Sequence, residues 1–189
     1  MKILRIENGE IPYIQKKSKR RSISASVNND GVVEVRTPYG VSDVFVREFL
    51  MAKGDRILQM MERRRNLSEY ENALGEEGIS HLMEKAKIVI PEKVRYYSGI
   101  MGVSPVNVRI NAAKTRFGSC SVKGNLNFSC RVMAYSDKAV DYVVIHELCH
   151  LVHMDHSSAF WRSVEKYMPD YKCAKEELRG LPKINADKK

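Results

Sequence analysis

Between Arg21 and Thr37 the apolar positions keep a period of two. Ile23, Ala25 and Val27 alternate with polar residues, and so do Val33 and Val35 beyond Asn28-Asn29-Asp30-Gly31. Alternation on both sides of such a turn predicts a β-hairpin. The period then lengthens. Val46, Leu50, Ile57, Leu58 and Met61 form an apolar side behind Ser42 or Asp43 as N-cap, predicting a helix to about Arg65. "NLSEYENALGEEG" (66–78) reads as a loop or boundary. A second long helix is expected from Gly78 to Ile100, interrupted or kinked at Pro91.

"VNVRIN" (106–111) and "GNLNFSCRVMAY" (124–135) read as strands, joined by "AAKTRFGSCSVKG". Ser136 with Asp137 starts a helix whose apolar positions are Val140, Val143, Val144, Leu148 and Leu151. "HSSAFWRSVEKYM" is a further helix capped by Ser157 or Ser158 and ended by Pro169. A last short helix, Tyr171 to Arg179, is closed by Gly180 and Pro182. The order of hairpin, two helices, strands and three helices makes the fold class α+β. It divides into an extension at 1–66, a main domain at 67–182 and a polar tail at 183–189.

A chain of 189 residues can bury one sizeable core, or a core plus an appended lobe. Charges arrive too early in "MKILRIENGE" for a signal peptide, and no apolar run approaches the ~18 residues of a membrane span. A cytoplasmic protein without a membrane partner is expected. Its four cysteines form no C-x-x-C pair, which makes them reduced thiols.

The net charge of +9 is unevenly spread. Residues 111–135 carry four cations and no acid, whereas 136–170 carry three cations and six acids. A basic surface attracts nucleic acid, nucleotides or anionic peptides, or merely aids solubility.

The acidic segment holds the chemistry. Four of the five histidines lie between Val143 and Trp161, and His146-Glu147-Leu148-Cys149-His150 is an H-E-x-x-H pattern. Residues four apart share a helix face, so His146 and His150 can turn ring nitrogens toward one ion. Glu147 lies about 100° round the helix, poorly set to be a ligand but within reach of a water on the metal. His153 returns to the His146 face, yet roughly 10 Å along the axis, too far to share an ion. A third ligand must then follow a turn. His156 has the spacing of H-E-x-x-H-x-x-G-x-x-H zincins and is favoured, with Asp155 and Glu165 as rivals. Those zincins turn at a glycine where this chain has His153, so His153, Met154 or Asp155 would have to make the turn, His and Asp being tolerant of positive φ. His153 is left as an outer-sphere donor, an oxyanion stabiliser or a solvent-facing residue. Cys149 reads as buried packing, and Phe160 and Trp161 as core anchors.

"TRFGSCSVKGNLNFSCRVM", "DYVVIHELCHLVHMDHSSAFW" and "MPDYK" together resemble the YgjP-like metallopeptidase family, relatives of the SprT-like zincins. The likeness spans roughly residues 20–180, with Phe117 where the family usually has tryptophan. It implies a zincin-like metallopeptidase fold with an N-terminal extension, one Zn2+ held by His146, His150 and His156, and Glu147 as catalytic base. In zincins a strand borders the cleft and takes an extended peptide by strand addition, and "GNLNFSC" is the expected edge. Lys114, Arg116, Lys123 and Arg131 beside it would favour anionic substrate groups. Arg116 could instead hold the "GSCS" loop by hydrogen bonds.

The expected function is a zinc-dependent hydrolase acting on a peptide or protein. One alternative is a zinc-dependent hydrolase of nucleotide triphosphates, for which the chain has no P-loop. Another is a DNA-associated or adaptor protein with a structural zinc, a role in which Glu147 would have no use.

Overall fold

The computed structural model describes residues 1–28, 30–180 and 182. The chain divides into two units, Met1–Ala73 and Leu74–Lys189. The expected tail at 183–189 lies outside the described residues.

The first unit is a four-stranded sheet with helices on one face. Strands β1 (Lys2–Ile6), β2 (Gly9–Ser18), β3 (Ser24–Val27) and β4 (Val33–Pro38) lie in the order β1-β2-β4-β3. The expected hairpin is present as β3 and β4, with Val27 opposite Val33. β1 and β2 are additional to it. They form their own antiparallel hairpin around Asn8-Gly9, a strong turn signal that the alternation at 21–37 had overshadowed. Leu4, Ile11, Tyr13, Val33 and Val35 point to one side and bury against Val46, Leu50 and Ile57.

The helix expected from 43 to 65 is two helices. α1 (Asp43–Met51) starts at Ser42, whose hydroxyl accepts from the Phe45 amide at 3.2 Å. α2 (Gly54–Met101) starts where a Cβ on Gly54 would sit 2.6 Å from Ile6 Cδ1, so a larger residue there would make the Ile6 side chain shift. The loop or boundary expected at 66–78 is helical apart from one residue, although the division between the two units falls inside it, after Ala73. Leu67 to Leu74 are mostly good helix formers, and only Gly75 leaves the helical region, at φ 61° and ψ −173°. The backbone stays helical through Pro91, and the break lies at Gly75.

In the second unit α2 buries Leu82, Ala86, Ile90 and Val94, one per turn. Lys93 on the same helix reaches two carboxylates of α3 (Asp137–Cys149), Asp137 at 3.0 Å and Asp141 at 2.6 Å. Strands β5 (Asn107–Asn111), β6 (Gly118–Cys120) and β7 (Asn125–Ser129) take the order β5-β7-β6, with β7 parallel to β5 and antiparallel to β6. The "GNLNFSC" segment is therefore the central strand, not the edge. Its Leu126 and Phe128 are fully buried, as suits a strand flanked on both sides, and the edge role passes to β5 and β6. The strand ends at Ser129 in a short 3₁₀ turn, Cys130–Ala134. α4 (Ser158–Tyr167) and α5 (Tyr171–Glu177) complete an α+β unit around α3. Among the described residues no helix is long and apolar enough to cross a membrane.

Candidate metal centre

α3 is the most enclosed helix of its unit, with nine of its thirteen residues buried. Its capping box is completed from another helix: Ser136 Oγ accepts from the Ala139 amide, while the Ser136 amide donates to Glu177 at 2.8 Å. The helix ends at the chemistry. His146 and Glu147 stand in its last turn and His150 is its C-cap.

The chain then turns without any residue at positive φ, contrary to the expectation that His153 or Asp155 would adopt one. Tight turns replace the missing glycine. The amides of Leu151, Val152 and His153 donate to Leu148, Cys149 and Cys149 at 3.1, 3.1 and 2.9 Å. A side chain closes the turn: His150 Nδ1 lies 2.9 Å from the His153 carbonyl. A carbonyl only accepts, so Nδ1 carries the proton and the lone pair of His150 is left on Nε2. Asp155 accepts from the Ser157 amide at 3.3 Å, and Ser157 caps α4, which holds His156 just ahead of the helix.

One ring nitrogen each from His146, His150 and His156 falls within 4.8 Å of the others. The Nε2 atoms of His146 and His156 are 3.1 Å apart. Two nitrogens ~2.0–2.1 Å from one tetrahedral ion would be separated by roughly 3.3 Å, so this donor set fits zinc. The rivals do not join it: Asp155 is engaged as a turn acceptor, and exposed Glu165 lies outside the group. His153 contributes its backbone carbonyl, not its ring, to this arrangement.

Phe160 is the floor of the cluster. Its ring centroid lies 4.9, 4.5 and 4.9 Å from those of His146, His150 and His156, and it is fully buried. Trp161 stacks on His156 at 5.7 Å and on Tyr171 at 5.5 Å, with Lys175 Nζ 3.9 Å from its centroid. Both aromatics therefore serve the core and wall the histidines. Tyr142 was not anticipated. Its hydroxyl is 3.4 Å from His146 Nδ1, and the four-residue spacing to His146 was the available signal. Cys149 is buried, its thiol 3.5 Å from Ser163 Oγ.

Glu147 is 5% exposed, and its Oε2 is buried without a hydrogen-bond partner. Burial pushes its pKa up to about 8, against the opposing pull of Arg116. Arg116 is exposed and makes none of the expected loop-holding hydrogen bonds among the described residues; its charge is felt at Glu147 instead. Burial, and then the charges of His150, His156 and Lys175, push His146 down to about 3. His146 is thus a neutral donor at any ordinary pH. Gly118 of β6 abuts Glu147, the approach that gives the "FGSC" segment its glycine.

Residues 67–180 match a family described as YgjP-like, metallopeptidase domain. No curated protein matches the chain. Among solved structures, the chain is similar to the metallopeptidase zymogen abylysin of Pyrococcus abyssi, with 29% identity, a TM-score of 0.44, and coverage of 48% of this chain and 91% of that one. It is also similar to the zymogen jannalysin of Methanocaldococcus jannaschii, with 22% identity, a TM-score of 0.42 and the same two coverages. The family match takes in the three histidines, Glu147 and Gly118, and the chain belongs to the YgjP-like metallopeptidase family.

Proposed function

We propose that the protein is a single-zinc peptidase in which His146, His150 and His156 would hold the ion and Glu147 is the general base. The observation that carries this reading is the convergence of three imidazole nitrogens within 4.8 Å beside a buried carboxylate whose Oε2 has no protein partner. Zinc, when bound there, supplies Lewis acidity that polarises a carbonyl and acidifies water.

The remaining work falls to the chain. His150 keeps its proton on Nδ1 through the His153 carbonyl, and the Tyr142 hydroxyl oxygen accepts from Nδ1 of His146, which leaves the lone pair of that ring on Nε2, so both rings are oriented from behind. Glu147 takes a proton from the attacking water and returns it to the departing amine nitrogen. Burial alone holds that carboxyl protonated at neutral pH in the metal-free chain, and the charge of a bound dication would pull it back toward the carboxylate from which the transfer starts. Arg116 tempers the rise and offers a positive charge to an acidic substrate group.

β6, the edge strand that brings Gly118 to Glu147, is our candidate for pairing with an extended peptide. Four free cysteines, two of them buried, support a cytoplasmic setting. The test is purified zinc-loaded protein against parallel panels of peptides and nucleoside triphosphates, with Glu147→Gln alongside. Peptide cleavage lost in the variant supports the reading. Triphosphate cleavage alone would replace it with the pyrophosphate-bond alternative, and full peptidase activity in Glu147→Gln would remove the proposed base.

A further inference from the structure

The four-stranded sheet of the N-terminal unit buries its Val33 and Val35 face under helices, and the alternate residues take the other face. The register sets what that face displays. Lys16 lies beside Arg36, and Arg36 beside Ser24, across three adjacent strands. The two cationic side chains are 58% and 60% exposed. Glu34, two residues before Arg36 on the same face, is held at 2.5 Å by each of them. One carboxylate shared by two cations leaves a positive surplus.

The same end of the sheet gathers more charge. β2 and β4 are parallel and finish in register at Ser18 and Pro38, so their continuations leave the sheet side by side. β2 continues into Lys19-Arg20-Arg21, which puts five cations in the six residues 16–21. Lys17, Lys19 and Arg21 are exposed, and Arg20 donates to Ser24 Oγ at 2.9 Å. Asp43, whose carboxylate feels Lys17, is already paired with Lys2. β4 continues into Tyr39, which is 62% exposed.

Closely spaced cations attract a phosphate backbone, and an exposed aromatic beside them offers a stacking face that only an unpaired base can use. We propose that this end of the N-terminal sheet binds single-stranded nucleic acid, with phosphates on Lys16, Lys19, Arg21 and Arg36 and a base on Tyr39. The surface is separate from the histidine cluster in sequence and stands whether or not the peptidase reading holds.

The test is fluorescence anisotropy of the full-length, zinc-loaded protein with a labelled oligothymidylate over a salt series. Unlabelled duplex and phosphatidylserine vesicles serve as competitors. The affinity should fall with salt, with a log–log slope of about 0.7 per phosphate engaged. A Lys16→Gln, Lys19→Gln, Arg21→Gln triple variant should lower that slope by about 2. Tyr39→Ala should weaken binding roughly tenfold at unchanged slope, and Tyr39→Phe should restore it. Thermal melts matching the wild type establish that the variants fold, and if the triple variant does not, Lys19→Gln alone should lower the slope by about 0.7. Absence of binding at low salt, indifference to these substitutions, competition by duplex as strong as by single strand, or displacement by the vesicles would each overturn the proposal.

Discussion

Gly118 and Glu147 are so close that one methyl group on the glycine would meet the carboxylate: an added Cβ would lie 2.5 Å from Oε1 and 2.6 Å from Cγ. The relationship joins the "GSC" strand to the "HELCH" helix and makes a sequence glycine part of the site's shape. Glu147 is buried and has little room to step aside.

Gly118→Ala should therefore displace the carboxylate while leaving the three histidines in position. On the peptidase reading, kcat falls by about 100-fold, the scale of an ångström's misplacement. Zinc content should stay at one ion per chain. Steady-state kinetics together with metal analysis check this, and a variant that loses its zinc would show that the glycine serves the fold instead.

The pH dependence of stability should carry the signature of Glu147. Its carboxyl titrates near 8 when folded against an ordinary 4.5, so the folded state holds the extra proton between these values. Stability linked to it is complete below about pH 4.5 and is lost as pH rises through about 8. Metal-free Glu147→Gln should match metal-free wild type near the low end. It should exceed wild type by on the order of a few kcal/mol at the high end. Urea unfolding across the range measures the difference, and a constant offset would contradict the burial argument. His146 acts in the opposite sense, with its linked stability present above pH 6.5 and lost as pH falls toward 3.

His153 and His156 should separate cleanly. His150 uses the His153 backbone carbonyl, which His153→Ala retains, so zinc affinity should change by less than the 10–100-fold typical of outer-shell losses. His156→Ala removes a proposed ligand and should cost more than that. Competition titration against a chelator gives both numbers, and the reverse ranking would remove His156 from the donor set.

Tyr142→Phe deletes the hydroxyl facing His146 Nδ1 but keeps the ring that stacks on Tyr171 at 6.2 Å. Zinc affinity should fall about tenfold with the melting temperature of the metal-free protein nearly unchanged. An equal loss in both would mean that the tyrosine acts only through packing.

Much of this site was legible because it is local. H-E-x-x-H on a helix needs only the 3.6-residue repeat, and the His156 spacing needs only a turn between two helices. What could not be read was whatever depends on partners distant in sequence. Nothing near Leu126 says that it will lie between two strands, because strand order is set by the packing of β5 and β6 on either side. Gly118 carries no mark of its closeness to Glu147, twenty-nine residues away. In the N-terminal unit the signal was present but unused: Asn8-Gly9 marks the β1–β2 turn as plainly as "NNDG" marks the next. The loop or boundary expected at 66–78 is half right for a different reason. The two units divide inside it, but its residues favour a helix on both sides of Gly75, so the chain passes the boundary as helix instead of loop.

The edge strand β6 is three residues long, Gly118–Cys120. A partner lying along it finds a short rail, enough for only a few main-chain bonds before the sheet runs out. Such an edge is a poor template for uncontrolled stacking of one copy on another. It is equally a poor grip on a passing chain. If peptides do dock there, tenacity has to come from their side chains, and brief occupancy would be the working state of the cleft.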